Sequence, residues 1–153
     1  MIDRTPSPRR TLLIRCSALA ASALALAPAR SRASPAAAEA LLRQLSAATP
    51  VRGRVHIDAP EIAENGNAVP IAITVDSPMT DQDFVRALHV VAEGNPSPGV
   101  VSFRFAAASG KADVQFRTRL AATQRIVAVA EMSDGSSWTA AREIKVALGG
   151  CGG

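Results

Sequence analysis

The chain has 153 residues, enough for one domain, and is 48% apolar but only 3% aromatic, so its core must come from Val, Ile, Leu and Ala. The formal charge of +4 is local: Arg4, Arg9, Arg10, Arg15, Arg30 and Arg32 face only Asp3 in the first 33 residues, while the remainder holds 11 Lys+Arg against 12 Asp+Glu. A body with a net charge of −1 excludes a nucleic-acid or other polyanion partner.

Residues 1–33 have the pattern of an export signal. A basic stretch, Arg9-Arg10-Thr11-Leu12-Leu13, precedes an apolar run from Ser17 to Ala27, and Ser31-Arg32-Ala33 offers a cleavage site. The apolar run is too short to span a bilayer, so the mature form is expected to be free of the membrane and to reside in the periplasm. The paired arginines match a twin-arginine export signal, although Pro8 and Leu12 depart from its strongest form. Cys16 precedes the apolar run, which is the wrong place for a lipid-anchored cysteine, and is expected to leave with the signal.

Residues 34–50 form the next segment. Ala36 to Ala47 is helix material, with Leu41, Leu42 and Leu45 on one face, and Thr49-Pro50 stops it. From 51 to 148 the period becomes two. Val69, Ile71, Ile73 and Val75 alternate with Pro70, Ala72, Thr74 and Asp76; Ala112, Val114, Phe116 and Thr118 alternate with Asp113, Gln115, Arg117 and Arg119; Ile144, Val146 and Leu148 alternate with Lys145 and Ala147. Further strands are predicted over Arg54–Ala59, Arg86–Ala92, Gly99–Phe105 and Arg125–Met132. Asn65-Gly66 and Asp134-Gly135 supply turns, and Asn95-Pro96-Ser97-Pro98-Gly99 a loop. About seven short strands with frequent turns predict an all-β, immunoglobulin-like antiparallel sandwich with a short N-terminal helix.

The final stretch, 149–153, reads Gly149-Gly150-Cys151-Gly152-Gly153. Glycine accepts nearly any backbone conformation, so Gly149, Gly150, Gly152 and Gly153 predict a flexible arm, with a reach of about 15–18 Å when extended. A thiol on such a thread could enter a narrow channel in another protein. Its thiolate is a nucleophile and can carry sulfur as a persulfide or mixed adduct. Cys151 has no second mature cysteine to pair with and no histidine or carboxylate beside it, which argues against a metal site. An intermolecular disulfide is the competing fate for an exposed thiol in an oxidising compartment.

Taken together, these residues resemble the SoxY family, sulfur-carrier subunits of bacterial thiosulfate oxidation. The resemblance covers roughly 35–153. It rests on Pro60-Glu61-Ile62-Ala63-Glu64-Asn65-Gly66-Asn67-Ala68-Val69-Pro70, on Val75-Asp76-Ser77-Pro78-Met79-Thr80, on Val129-Ala130-Glu131-Met132-Ser133-Asp134-Gly135 and on the closing Gly149 to Gly153. It implies that Cys151 is the covalent attachment site and that its four flanking glycines form the arm. It also implies a heterodimer with a SoxZ-like subunit, conjugation of thiosulfate by a c-type cytochrome, release of sulfate by a hydrolase and, in some organisms, oxidation of the remaining sulfane sulfur by a molybdenum-containing dehydrogenase. No bound cofactor is implied beyond the sulfur carried on Cys151, and the chain is expected to be a carrier rather than an enzyme.

The other reactive residues have ordinary readings. His56 and His89 lie 33 apart without a ligand pattern and read as surface or packing residues. Trp138 opens the last predicted strand, as a core or a partner-facing residue. Asp76, Asp81 and Asp83 flank Pro78 without calcium-loop spacing. Two alternatives to the carrier remain. One is a thiol-dependent redox enzyme, disfavoured by the lack of a Cys-X-X-Cys pair or resolving cysteine; the other is an exported sandwich module whose thiol is incidental.

Overall fold

The helix forms where the alanine-rich segment predicts it. In the computed structural model, which describes residues 34–46 and 48–150, α1 spans Pro35–Leu45. The Ser34 hydroxyl accepts from the Ala37 amide, and proline takes the first turn, where its missing N–H is not needed. Glu39 and Arg43 pair along the solvent side at 3.4 Å. Ala38 is buried, and Leu41 and Leu42 pack beside it on Val91, Val127 and Val129. After the helix, the Ser46 hydroxyl lies 2.9 Å from that of Ser137 and donates to Ala48 O, tying the helix end to the last strand.

Nine strands follow: β1 Val51–Arg52, β2 Val55–Asp58, β3 Ile62–Asn65, β4 Val69–Val75, β5 Val85–Ala92, β6 Gly99–Arg104, β7 Ala112–Thr118, β8 Gln124–Met132 and β9 Ser137–Leu148. They make two sheets. One has the order β1-β9-β8-β5-β6 with β3 also on β9; the other is β2-β4-β7. The immunoglobulin-like sandwich expected from the alternating segments is therefore present, with β1 and β3 added to the seven strands anticipated. Both added strands run parallel to β9, β1 at its beginning (Val51 opposite Trp138) and β3 at its end (Ala63 opposite Val146), so together they cover one edge of that long strand.

The period-two pattern delivers its apolar residues to the space between the sheets. Val69, Ile71, Ile73 and Val75 of β4 meet Leu88 and Val90 of β5 and Ile126, Ala128, Ala130 and Met132 of β8 in one cluster. Residues of the opposite parity, Val91, Val127 and Val129, face outward under α1, which explains why β5 and β8 are buried on both sides. Leu148, expected to continue the inward series of Ile144 and Val146, is instead 69% exposed. It pairs with Asn65 at the extreme end of the sheet, beyond the layer that would cover it.

The two turn dipeptides behave differently. Asp134-Gly135 closes the β8–β9 hairpin: Gly135 has φ +84°, and the Asp134 carboxylate accepts from the Ser136 amide. Hydrogen bonding by Ser136 holds that carboxyl below the usual carboxylate range. Asn65-Gly66 closes no hairpin. It carries the chain from β3, on β9 of one sheet, to β4 of the other.

Candidate functional site

The proposed chemistry lies where β9 runs out. Leu148 O accepts from the Gly66 amide at 2.7 Å, Gly66 O accepts from the Leu120 amide at 2.8 Å, and Leu120 O accepts from the Gly150 amide at 2.9 Å. Three segments distant in sequence thus interlock through backbone bonds at the root of the tail. Gly150 is buried, and Gly149 lies against Ala121. Gly149 and Gly150, the first two residues of the expected arm, lie against the domain, Gly150 through its amide bond to Leu120 O. Cys151, Gly152 and Gly153 lie outside the described residues, as do the export signal over 1–33 and Cys16.

The loop that receives the tail is itself braced. Asn95 Oδ1 accepts from the Ala121 amide at 3.0 Å and from Gln124 Nε2 at 2.8 Å, while Asn95 Nδ2 donates to Arg119 O at 2.8 Å. Gln124 also donates to Ala122 O and accepts from the Gly94 amide at 2.7 Å. Both side chains are buried, so a full set of partners is what makes their burial tolerable. Leu120 plugs into the core with no exposed surface. Beside the loop an open cleft of about 440 Å³ is lined by Asn95, Phe116 and the exposed Arg117 and Arg119.

The other candidates fall elsewhere. His56 pairs with Asp76 at 2.7 Å on the exposed face of β2. His89 is buried on the outer side of β5, with Nδ1 2.8 Å from the Ser102 hydroxyl; desolvation pushes its pKa below the usual histidine value, with a smaller opposing pull from Glu131 and a smaller push from Arg104. Asp83 pairs with Arg54 at 3.3 Å, so Asp76 and Asp83 are turned to different partners. Among the described residues no group of three or more His, Cys, Asp or Glu is placed to hold a metal ion. Trp138 packs on the core cluster from its margin. Its indole Nε1 is buried and has no hydrogen-bond partner among the described residues.

Gly66, Asn95, Leu120 and Gln124 were not foreseen as parts of the site. Gly66 and Asn95 fall in segments that read only as a turn and a loop, and nothing in the sequence marks their meeting with the tail.

A search of curated proteins finds no match. Among solved structures, the sulfur carrier protein SoxY from Chlorobium limicola f thiosulfatophilum is 30% identical, with 71% of this chain and 94% of that one covered at a TM-score of 0.59. Superoxide reductase (neelaredoxin) from Ignicoccus hospitalis is 22% identical over 61% of this chain and 80% of its own, with a TM-score of 0.55, and shares the fold alone. The family model described as sulfur oxidation protein SoxY matches residues 39–151, from within α1 through every strand to the tail cysteine, and the chain belongs to the SoxY family.

Proposed function

We propose that this protein is a periplasmic carrier that holds sulfur intermediates covalently on Cys151 while partner enzymes act on them. The observation that carries the reading is the family match running to Cys151 itself, which follows by one peptide bond the last residue seated on the domain. Beside the tail root, the described side chains that line the open cleft include Asn95, Phe116, Arg117 and Arg119.

The chemistry would run in two stages. First the Cys151 thiol and thiosulfate would join through a new S–S bond; the thiol proton leaves, and two electrons pass one at a time to the c-type cytochrome partner, which hands each on to a further acceptor. Water then attacks the terminal sulfo group, sulfate departs with its oxygens and one from water, and a persulfide stays on Cys151. A sulfane-oxidising dehydrogenase can take that sulfur further. The carrier would work as a heterodimer with a SoxZ-like subunit and reach the periplasm through its twin-arginine-type signal.

The test is intact mass of protein recovered from its own periplasm, and of purified protein incubated with thiosulfate and periplasmic extract. Adducts that reductant removes are expected on the wild type and not on Cys151→Ser. An equal adduct on Cys151→Ser would overturn the reading.

A further inference from the structure

Three glycines meet at the tail root, and none of them has a positive φ. Conformational freedom is therefore not what their positions demand. A methyl group on Gly66 would run into Leu120 O and come within 2.6 Å of Gly150 N. One on Gly149 would run into Ala121 O, and one on Gly150 would come within 2.7 Å of Gly66 O. The obstacles are backbone atoms, which cannot rotate aside as a side chain can. Glycine is needed here because two chain segments touch, with no room between them.

We infer that Gly66 is a positioning residue for Cys151: by letting the tail lie against it, it allows Leu120 to hold Gly150, so that the thiol is delivered from a fixed point one residue beyond the domain. The inference rests on Cys151 being the sulfur attachment site. The grip is rigid because its base is rigid. Gly66 is bonded on one side to Leu148 and on the other to Leu120, and the Arg119–Ala122 loop is pinned by Asn95 and Gln124. With Gly150 held, one Cα step of about 3.8 Å separates Cys151 from a fixed residue, against a reach of about 10–11 Å were Gly149 and Gly150 both free. Fewer tail conformations raise the effective concentration of the thiol at a docked partner and reduce the entropy lost when the tail enters it. A partner that takes the thiol must then approach the rim made by Gly66, Asn67 and the Arg119–Ala121 loop.

Amide exchange by NMR on the full chain tests this. The Gly150 amide is expected to exchange at least about 10-fold more slowly than a free glycine amide, since opening its bond to Leu120 must precede exchange. In Gly66→Ala that protection is expected to vanish while the amides of Val127 and Val129 stay protected. Gly150→Ala lies beyond the last strand and leaves the sandwich intact, so it decides the matter should Gly66→Ala fail to fold. A nitroxide on Cys151, in a Cys16→Ser background, should give a broadened spectrum in the parent and a narrow one in either variant. A wild-type Gly150 amide exchanging at the free rate, or a nitroxide equally restrained in parent and variants, would overturn the inference. Either result leaves the carrier reading standing, because that depends on the mass adduct; a missing adduct with a protected Gly150 would sink the carrier and spare the grip.

Discussion

The Arg54 guanidinium carbon lies 5.3 Å from the centroid of the Trp138 ring, and Arg54 reaches it from a left-handed backbone with φ +52°. The preceding residue, Gly53, has φ +138°, and a methyl group there would press on the Trp138 ring at 3.1 Å. Arg54 also pairs with Asp83 at 3.3 Å. An unfavourable backbone is thus held by stacking and an ion pair at the pole of the sandwich opposite the tail. Gly53→Ala is expected to lower stability by about 1–3 kcal/mol. Arg54→Ala should cost about 1 kcal/mol, part of it screened away by salt. Trp138 is the sole tryptophan, so its fluorescence in a urea titration reads both.

Asn95→Ala strips partners from the Ala121 amide, Arg119 O and Gln124 Nε2 at once. Each buried group left unpaired costs about 1–3 kcal/mol, partly recovered by water, so a net loss of about 2–4 kcal/mol is expected in urea unfolding. A loss below about 0.5 kcal/mol would show that the loop is not held by this network.

Leu120 and Leu148 make a matched pair of opposite environment, one with no exposure and the other 69% exposed. Leu120→Ala is expected to destabilise by about 2–5 kcal/mol through the cavity it leaves. Leu148→Ala should stay within about 0.5 kcal/mol of wild type. Equal losses would contradict the burial that places Leu120 beneath the tail root.

His89 makes stability depend on pH with a definite sign. Its pKa is lowered in the folded state by burial. The unfolded chain therefore binds the proton more readily, and the stability contribution is present above the unfolded value near 6.5 and is lost as pH falls through it toward the lowered folded value. Thermal unfolding between pH 7.5 and 5.5 should show a falling Tm. The fall should be shallower in His89→Gln, which keeps a polar group near the Ser102 hydroxyl. An identical slope in the two proteins would remove His89 from the account.

Much of the sandwich is legible because its inner faces are written in alternation. Val69 to Val75 of β4 shows it most clearly, and the strand ends where the pattern ends. β1 and β3 could not be read this way. Val51-Arg52 is too short to show a period, and in Ile62–Asn65 only Ala63 is buried. The first half of β9, Ser137 to Glu143, shows no clear alternation because small and polar residues occupy both of its faces, although Trp138 and Ala140 pack on the core cluster. At the tail, the sequence shows glycines but not why they are glycines. A residue chosen for freedom and one chosen for contact look alike when both mean the lack of a side chain. Only the meeting of Gly66, Leu120 and Gly150, distant along the chain, tells them apart.

The two fragments flanking β9 bear on how this molecule comes into being. Val51 must find Trp138 and Ile62 must find Lys145, pairings that close loops of more than eighty residues and forbid a quick zippering from neighbour to neighbour. β9 can pair with β8 through the short Asp134-Gly135 turn, but β1 and β3 gain their partner only once β9 is there. A newly made chain that stops before Ser137 would have nothing to lay along those fragments, so the strand that leads to the reactive end is also the one that covers them.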